Sequence, residues 1–198
     1  AEICFRKAYE LRMRGTRIEV VPDILMNLAD ANNRLGKLDI GAAWYRRALL
    51  MCDSLHMAST KKPPIYYGLA QVYVTMRDFE QCDYYYNLAG ESYDNMLPYE
   101  KYIYLNNRGT SYYYREDYQT AIKYFQKVID LVEGYDDMSF ELNLGRLNLG
   151  DCYLQLNKVD LAVKYINECQ LFFEEMGVST ALYYIDTQKI ELALLQKD

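Results

Sequence analysis

Apolar residues recur at spacings of three and four along nearly the whole chain, as in Leu25, Leu28, Ala29 and Leu35. That period lines one side of an α-helix and does not suit strands, where side chains alternate. With only 4 prolines, almost any stretch is free to be helical. Short interruptions such as Leu35-Gly36-Lys37 and Met76-Arg77-Asp78 predict tight turns between antiparallel helices. Asp78 and Asp117 stand where each can cap the helix that follows.

The pattern repeats. Each of four segments carries a small residue early in a first helix: Ala29, Ala70, Gly109 and Gly150. Tyrosine follows three residues later in three of them, at Tyr73, Tyr112 and Tyr153, with Asn32 as the exception. The second helices carry a small residue, then a bulky one four later, then another that is usually small. The sets are Gly41/Tyr45/Ala48, Cys82/Tyr86/Ala89, Ala121/Phe125/Val128 and Ala162/Ile166/Cys169, and Ala1/Phe5/Ala8 fits the same template. The leading small residues lie 40, 41, 39 and 41 residues apart. Small residues let two helices approach closely, and the ring beside them fills the space left by the neighbouring hairpin. One such hairpin cannot bury its apolar face alone, so stacking is obligatory.

This series resembles the tetratricopeptide repeat, whose signature runs tryptophan, Leu-Gly, Tyr, Ala, Phe, Pro over about 34 residues. The surplus here falls after the second helix, as in MCDSLHMASTKKPP, and predicts a second helix longer by more than one turn. The signature tryptophan is replaced by Leu25, Tyr66, Leu105 and Arg146, and the lone Trp44 lies in a second helix. The long-helix form is similar to repeat regions of bacterial, Bacteroidetes-type, transcription regulators and sensor proteins. The resemblance implies an all-α, right-handed superhelical solenoid of antiparallel helical hairpins. It divides the chain into a half repeat at about 1–20, repeats at about 21–61, 62–100, 101–141 and 142–177, and a half repeat at 178–198. Gln196-Lys197-Asp198 would begin the next turn. The expectation is a single repeat domain that is a fragment of a longer chain, with uncapped apolar ends at 1–8 and 185–194 as candidates for self-association.

Composition narrows the function. The net charge of -6 and a pI near 4.9 argue against direct nucleic-acid binding by this segment, which would draw on clustered Lys and Arg. No run of 18 apolar residues is present, so no membrane span is expected. Cys4, Cys52, Cys82, Cys152 and Cys169 are odd in number and lack the close spacing of a zinc site, and Cys82, Cys152 and Cys169 fall on packed faces as small core residues. His56 is the single histidine, too little for a catalytic triad or a metal centre. The run from Gly145 to Gly150 has no phosphate-loop spacing. No enzyme activity, cofactor or metal is expected.

The expected function is protein or peptide binding, as the interaction or sensing part of a larger bacterial regulatory protein. A peptide sensor that changes superhelix curvature, and a structural scaffold, are the alternatives. Asn27, Asn107 and Asn148 occupy one place in their repeats, which Gly68 breaks in the second. The resemblance puts that place on the concave groove, where an amide can both donate to and accept from a peptide backbone. The other reading is an amide satisfied by its own neighbours. Groove candidates beside the series are Asp30, Asn33, Arg34, Tyr67, Gln71, Thr110, Tyr113, Tyr114, Asp151 and Gln155. Receptors for chaperone tails grip a terminal carboxylate with several Lys and Arg. Met26 and Asp30 stand where part of that clamp would be, so this groove is of another kind.

Overall fold

A computed structural model describes residues 2–15, 18–57 and 61–195. Ala1 and the turn expected at Gln196-Lys197-Asp198 lie outside them. The described residues hold no strand and ten α-helices: α1 (Glu2–Met13), α2 (Val21–Arg34), α3 (Leu38–Ser54), α4 (Pro63–Thr75), α5 (Phe79–Gly90), α6 (Pro98–Tyr113), α7 (Tyr118–Val132), α8 (Ser139–Gln155), α9 (Val159–Met176) and α10 (Ser179–Leu195). Contacts gather them into two compact units, Ala1–Met96 and Leu97–Asp198. Each is a stack of helical hairpins. In the first, α2 pairs with α3 and α4 with α5; in the second, α6 pairs with α7 and α8 with α9, and α10 packs on α8 and α9.

Each hairpin turn is closed the same way. The first helix ends on a left-handed residue, Gly36, Arg77, Glu116 or Asn157, with φ of 72°, 59°, 66° and 53°. The next amide reaches back across the turn: Lys37 N donates to Asn32 O, Asp78 N to Tyr73 O, Asp117 N to Tyr112 O and Lys158 N to Tyr153 O, at 2.9–3.1 Å. This double reverse bonding is the Schellman arrangement, which satisfies the last carbonyls of a helix. Asp78 and Asp117 then cap α5 and α7 by accepting from Gln81 N and Thr120 N, both at 3.1 Å.

Within each hairpin the helices meet at the small residues. Ala29, Ala70, Ala48, Cys82, Ala89, Ala121, Ala162, Cys169 and Cys152 are fully buried. A Cβ on Gly109 would stand 2.7–3.0 Å from the Phe125 ring, and one on Gly150 would stand 3.0 Å from Ile166 Cγ1. Tyrosine pairs lock the same junctions. Tyr73 stacks on Tyr85, Tyr112 on Tyr124 and Tyr153 on Tyr165, with centroids 5.7, 5.5 and 5.6 Å apart and planes within 15°. A cation covers the first ring of each pair, from Arg46, Arg115 and Lys158. Such pairs add about 0.5–1.5 kcal/mol each beyond the area they bury.

The surplus over a shorter repeat is shared rather than placed wholly in the second helix. Helices α3 and α9 are long, with 17 and 18 residues, but α5 has 12. After α5 the extra residues form a 3-10 turn, Tyr93–Asn95, and a long α6 opened by Pro98. Leu97 N donates to Glu100 Oε2 at 2.8 Å and fixes that start. A 3-10 turn at Asp136–Met138 plays the same part before α8. Helix α1 leaves Ile3 and Leu11 exposed, and α10 leaves Tyr183, Ile190 and Leu194 exposed.

Two stability tests follow from this geometry. Gly109→Ala should lose stability, because overpacking against a buried ring costs about 1–3 kcal/mol. That outweighs the roughly 1 kcal/mol that alanine returns in a helix interior. Gly150→Ala, whose nearest neighbour is Ile166 Cγ1 at 3.0 Å rather than a ring at 2.7 Å, should lose less. Denaturant midpoints would decide it, and a more stable Gly109→Ala would mean that α6 and α7 do not approach as closely as described. Conversely, Glu116→Gly should stabilise by about 0.5–1 kcal/mol, since only glycine takes the left-handed conformation without strain. An unchanged or lowered melting midpoint would refute strain at that turn.

Candidate functional site

First helices, with Tyr114 at the C-terminal cap of α6, carry the residues placed on the expected groove, and the two units treat them differently. In the first unit, Asn27, Arg34 and Gln71 are exposed. Asp30 accepts a hydrogen bond from the Tyr45 hydroxyl. That bond explains why Gly68 interrupts the asparagine series: the Tyr45 ring crosses to α4, and a Cβ on Gly68 would lie 2.1 Å from it. Asn33 leans on the equally bare Gly41, and its Oδ1 is buried without a partner. Tyr67 is a correction to the groove set. It is 9% exposed, and its hydroxyl lies 3.5 Å from the Met96 sulfur, so it packs into the core.

In the second unit α6, α8 and α10 frame a cleft of about 280 Å³, floored by Phe125 and Leu147. It brings together Thr110, Tyr113, Tyr114, Asn148 and Asp151. Asn107 and Gln155 are not among its lining residues. Sequence reasoning missed the apolar Phe125, Leu144 and Leu147 and two residues that carry polar groups, Tyr184 and Gln188, both from α10. Gln188 had a readable signal. It is a polar residue in the apolar stripe Ala181, Ile185, Gln188, Leu192, all four of which are buried.

The polar groups of the cleft are tied to one another. Asn148 Nδ2 donates to Asn106 Oδ1 at 2.9 Å, so the asparagine is held by a neighbouring repeat. Thr110 Oγ1 donates to Asn106 O at 2.9 Å. The Tyr113 hydroxyl hydrogen-bonds the Asp151 carboxylate, and burial, with that carboxylate beside it, pushes Tyr113 above its ordinary range. Gln188 Nε2 donates to Leu147 O at 3.3 Å and also bonds Asp151. Its Oε1 is buried and has no partner. Burial, with the charge of Glu191 adding to it, raises the Asp151 carboxyl above the usual carboxylate range, against the hydrogen bonds of Tyr113 and Gln188.

Other recesses are shallower. One in the first unit runs along α3 beside Arg6, Trp44 and Arg47, and another in the second unit lies on α7 around Lys123, Tyr124 and Lys127. Cys52, Cys82, Cys152 and Cys169 are buried, and burial pushes the Cys169 thiol up to about 12. His56 is exposed in the turn after α3. Among the described residues no group of three His, Cys, Asp or Glu could hold a metal ion, and no helix is long and apolar enough to cross a membrane.

The hairpins and their junctions define a class, and comparison with known proteins gives the same one. Residues 102–135 and 145–171 each match a tetratricopeptide repeat. Two tetratricopeptide repeats thus lie in the second unit, and such repeats imply a protein-interaction module. It is 26% identical over 163 residues to the anaphase-promoting complex subunit CDC16 of Saccharomyces cerevisiae, covering 80% of this chain and 18% of that protein's length. Three solved structures share the fold. BtubC from P. vanneervenii has a TM-score of 0.75 and 22% identity, covering 89% of this chain and 73% of its own. Aspartyl phosphate phosphatase F from Bacillus subtilis has a TM-score of 0.81 and 18% identity, covering 93% and 48%. YrrB, a tetratricopeptide-repeat protein with an unusual peptide-binding site, has a TM-score of 0.52 and 19% identity, covering 100% and 95%.

Asp151 gives a test of the cleft's electrostatics. A carboxyl whose folded-state pKa is raised contributes stability that is complete below its ordinary pKa and is lost as the pH rises through the raised value. Ionised Asp151 is therefore a cost at neutral pH. Asp151→Asn should raise the melting midpoint at pH 7, and the gain should shrink as the pH falls toward about 4, the ordinary carboxylate value. A variant less stable at pH 7 would mean that the hydrogen bonds from Tyr113 and Gln188 outweigh the desolvation.

Proposed function

We propose that this chain binds an extended polypeptide along the first helices of its second unit, as the interaction or sensing part of a larger bacterial regulatory protein. The observation that carries the reading is the cleft shared by α6, α8 and α10. Three successive first helices contribute to it, so a single strand of peptide can meet the same place in one repeat after another. Tyr114 and Tyr184 stand exposed at its rim, where rings bury contact area at low entropic cost. The likeness of fold to YrrB, a tetratricopeptide-repeat protein with an unusual peptide-binding site, supports the class of ligand. The regulatory setting rests on the likeness of the 40-residue period and the long α3 and α9 to repeat regions of bacterial regulators.

The rival surface is the outer recess on α7. Peptides selected from a displayed random library against the whole chain separate the two. Calorimetry should find that Tyr184→Ala weakens the best peptide by at least about 1 kcal/mol, as for an interface residue that matters. Lys123→Glu, on the opposite side of the hairpin, should leave it unchanged. The reverse pair of results would move binding to the outer surface.

A further inference from the structure

The cleft has a polarity. Several of its donors are already engaged inside the protein: the Thr110 hydroxyl with Asn106 O, one hydrogen of Asn148 Nδ2 with Asn106 Oδ1, the Tyr113 hydroxyl with Asp151, and Gln188 Nε2 with Leu147 O and Asp151. Against these stand two acceptors that the protein does not fully use. Asp151 brings a carboxylate, and Gln188 brings an amide oxygen that is buried with no partner at all. Gln188 is 5% exposed, so that oxygen is withdrawn from bulk water. Its amide is not free to turn over. A flip would set Oε1 against the Leu147 carbonyl and the Asp151 carboxylate, acceptor against acceptor. A buried acceptor left unmade is costly, which makes it a mark of a missing donor.

The surrounding charge agrees. Glu191 of α10 lies near enough to Asp151 to raise its pKa. No Lys or Arg lines the cleft, and Lys189, the cation next to Gln188, is held instead by Gln170 of α9. Tyr113, Tyr114 and Tyr184 add aromatic faces, which attract cations. The volume of about 280 Å³ is at or below the small end of ordinary small-molecule sites, roughly 300–1,000 Å³, and fits a single side chain better than a whole metabolite.

We propose that the α6/α8/α10 cleft is a specificity pocket for one basic side chain, lysine or arginine, of the bound polypeptide, with Asp151 and Gln188 Oε1 receiving its N–H donors. This rests on the polypeptide-binding reading above and adds the chemical class that the groove selects. The side chain enters between Tyr114 and Tyr184. Its charged end meets the Asp151 carboxylate, and one N–H satisfies Gln188. Tyr113 holds Asp151 in place through its hydroxyl and cannot itself offer a hydrogen to the ligand.

The test uses the whole chain, labelled with nitrogen-15, and reads the Gln188 side-chain amide and the Asp151 backbone amide. The probes are blocked pentapeptide pools with a fixed central arginine, lysine, citrulline or glutamate between degenerate positions, together with agmatine as a free guanidinium. Arginine or lysine pools should shift both signals and bind about 10-fold or more tighter than the citrulline pool, the ratio expected for a charge-assisted hydrogen bond. Asp151→Asn, which keeps the side chain's shape, should erase that difference. Gln188→Met should weaken arginine binding several-fold while helical circular dichroism stays unchanged. Equal binding of the arginine, citrulline and glutamate pools would overturn the cation preference and leave peptide binding standing. Agmatine binding without any peptide binding would overturn the polypeptide source, and with it the function proposed above. No shift from any probe would overturn the pocket.

Discussion

Close approach of two helices at a small residue is the constraint on which the rest depends. At Gly109 and Gly150 the neighbouring helix comes so near that even a methyl group would press on Phe125 or Ile166. That proximity sets the distance between the helices of a hairpin. It brings Tyr112 within stacking range of Tyr124 and Tyr153 of Tyr165. It also requires a turn short enough not to splay the pair, which explains why four turns accept a left-handed residue when only one of them is glycine. The strain at Arg77, Glu116 and Asn157 is small beside the packing that a longer, looser turn would give up.

Much of this is legible in the sequence, for a physical reason. Helical periodicity and small-residue contacts recur at every repeat, so each instance supports the others. Asp78 and Asp117 are readable as caps because side-chain acceptors at helix starts follow local chemistry alone. The tyrosine stacks are less legible. Tyr73, Tyr112 and Tyr153 are recognisable as template residues, but their partners Tyr85, Tyr124 and Tyr165 sit on a second helix, and ring-on-ring geometry depends on how two helices are rotated. Gly68 is the same kind of case. Its missing side chain is explained by a ring that reaches it from Tyr45, which no local pattern contains.

The candidate site divides along the same line. Thr110, Tyr113, Tyr114, Asn148 and Asp151 follow from counting positions in a first helix, and they do meet in one cleft. Tyr67 fits the count but turns into the core beside Met96, because packing rather than register decides where a large ring goes. Gln188 and Tyr184 come from a half repeat whose template residues are incomplete. Only the burial of a polar residue in an apolar stripe marks Gln188 out, and burial is a tertiary fact.

Polarity of the cleft is set by internal bonding rather than by residue type. Asparagine, glutamine, threonine and tyrosine can each donate as well as accept. In isolation they would favour neither an anionic nor a cationic ligand. Here the helices are held close enough for several to direct hydrogens at a neighbour: Asn106 takes two, Asp151 takes those of Tyr113 and Gln188, and the Leu147 carbonyl takes another. The same spacing that lets Gly109 and Gly150 pack therefore uses up hydrogens of a neutral set of side chains and leaves an unpartnered acceptor, Gln188 Oε1, beside a carboxylate. A clamp for terminal carboxylates needs the opposite outcome, with cations or free N–H groups facing the groove. The repeat frame permits either, and the choice rests on which hydrogens the neighbouring first helices have already taken.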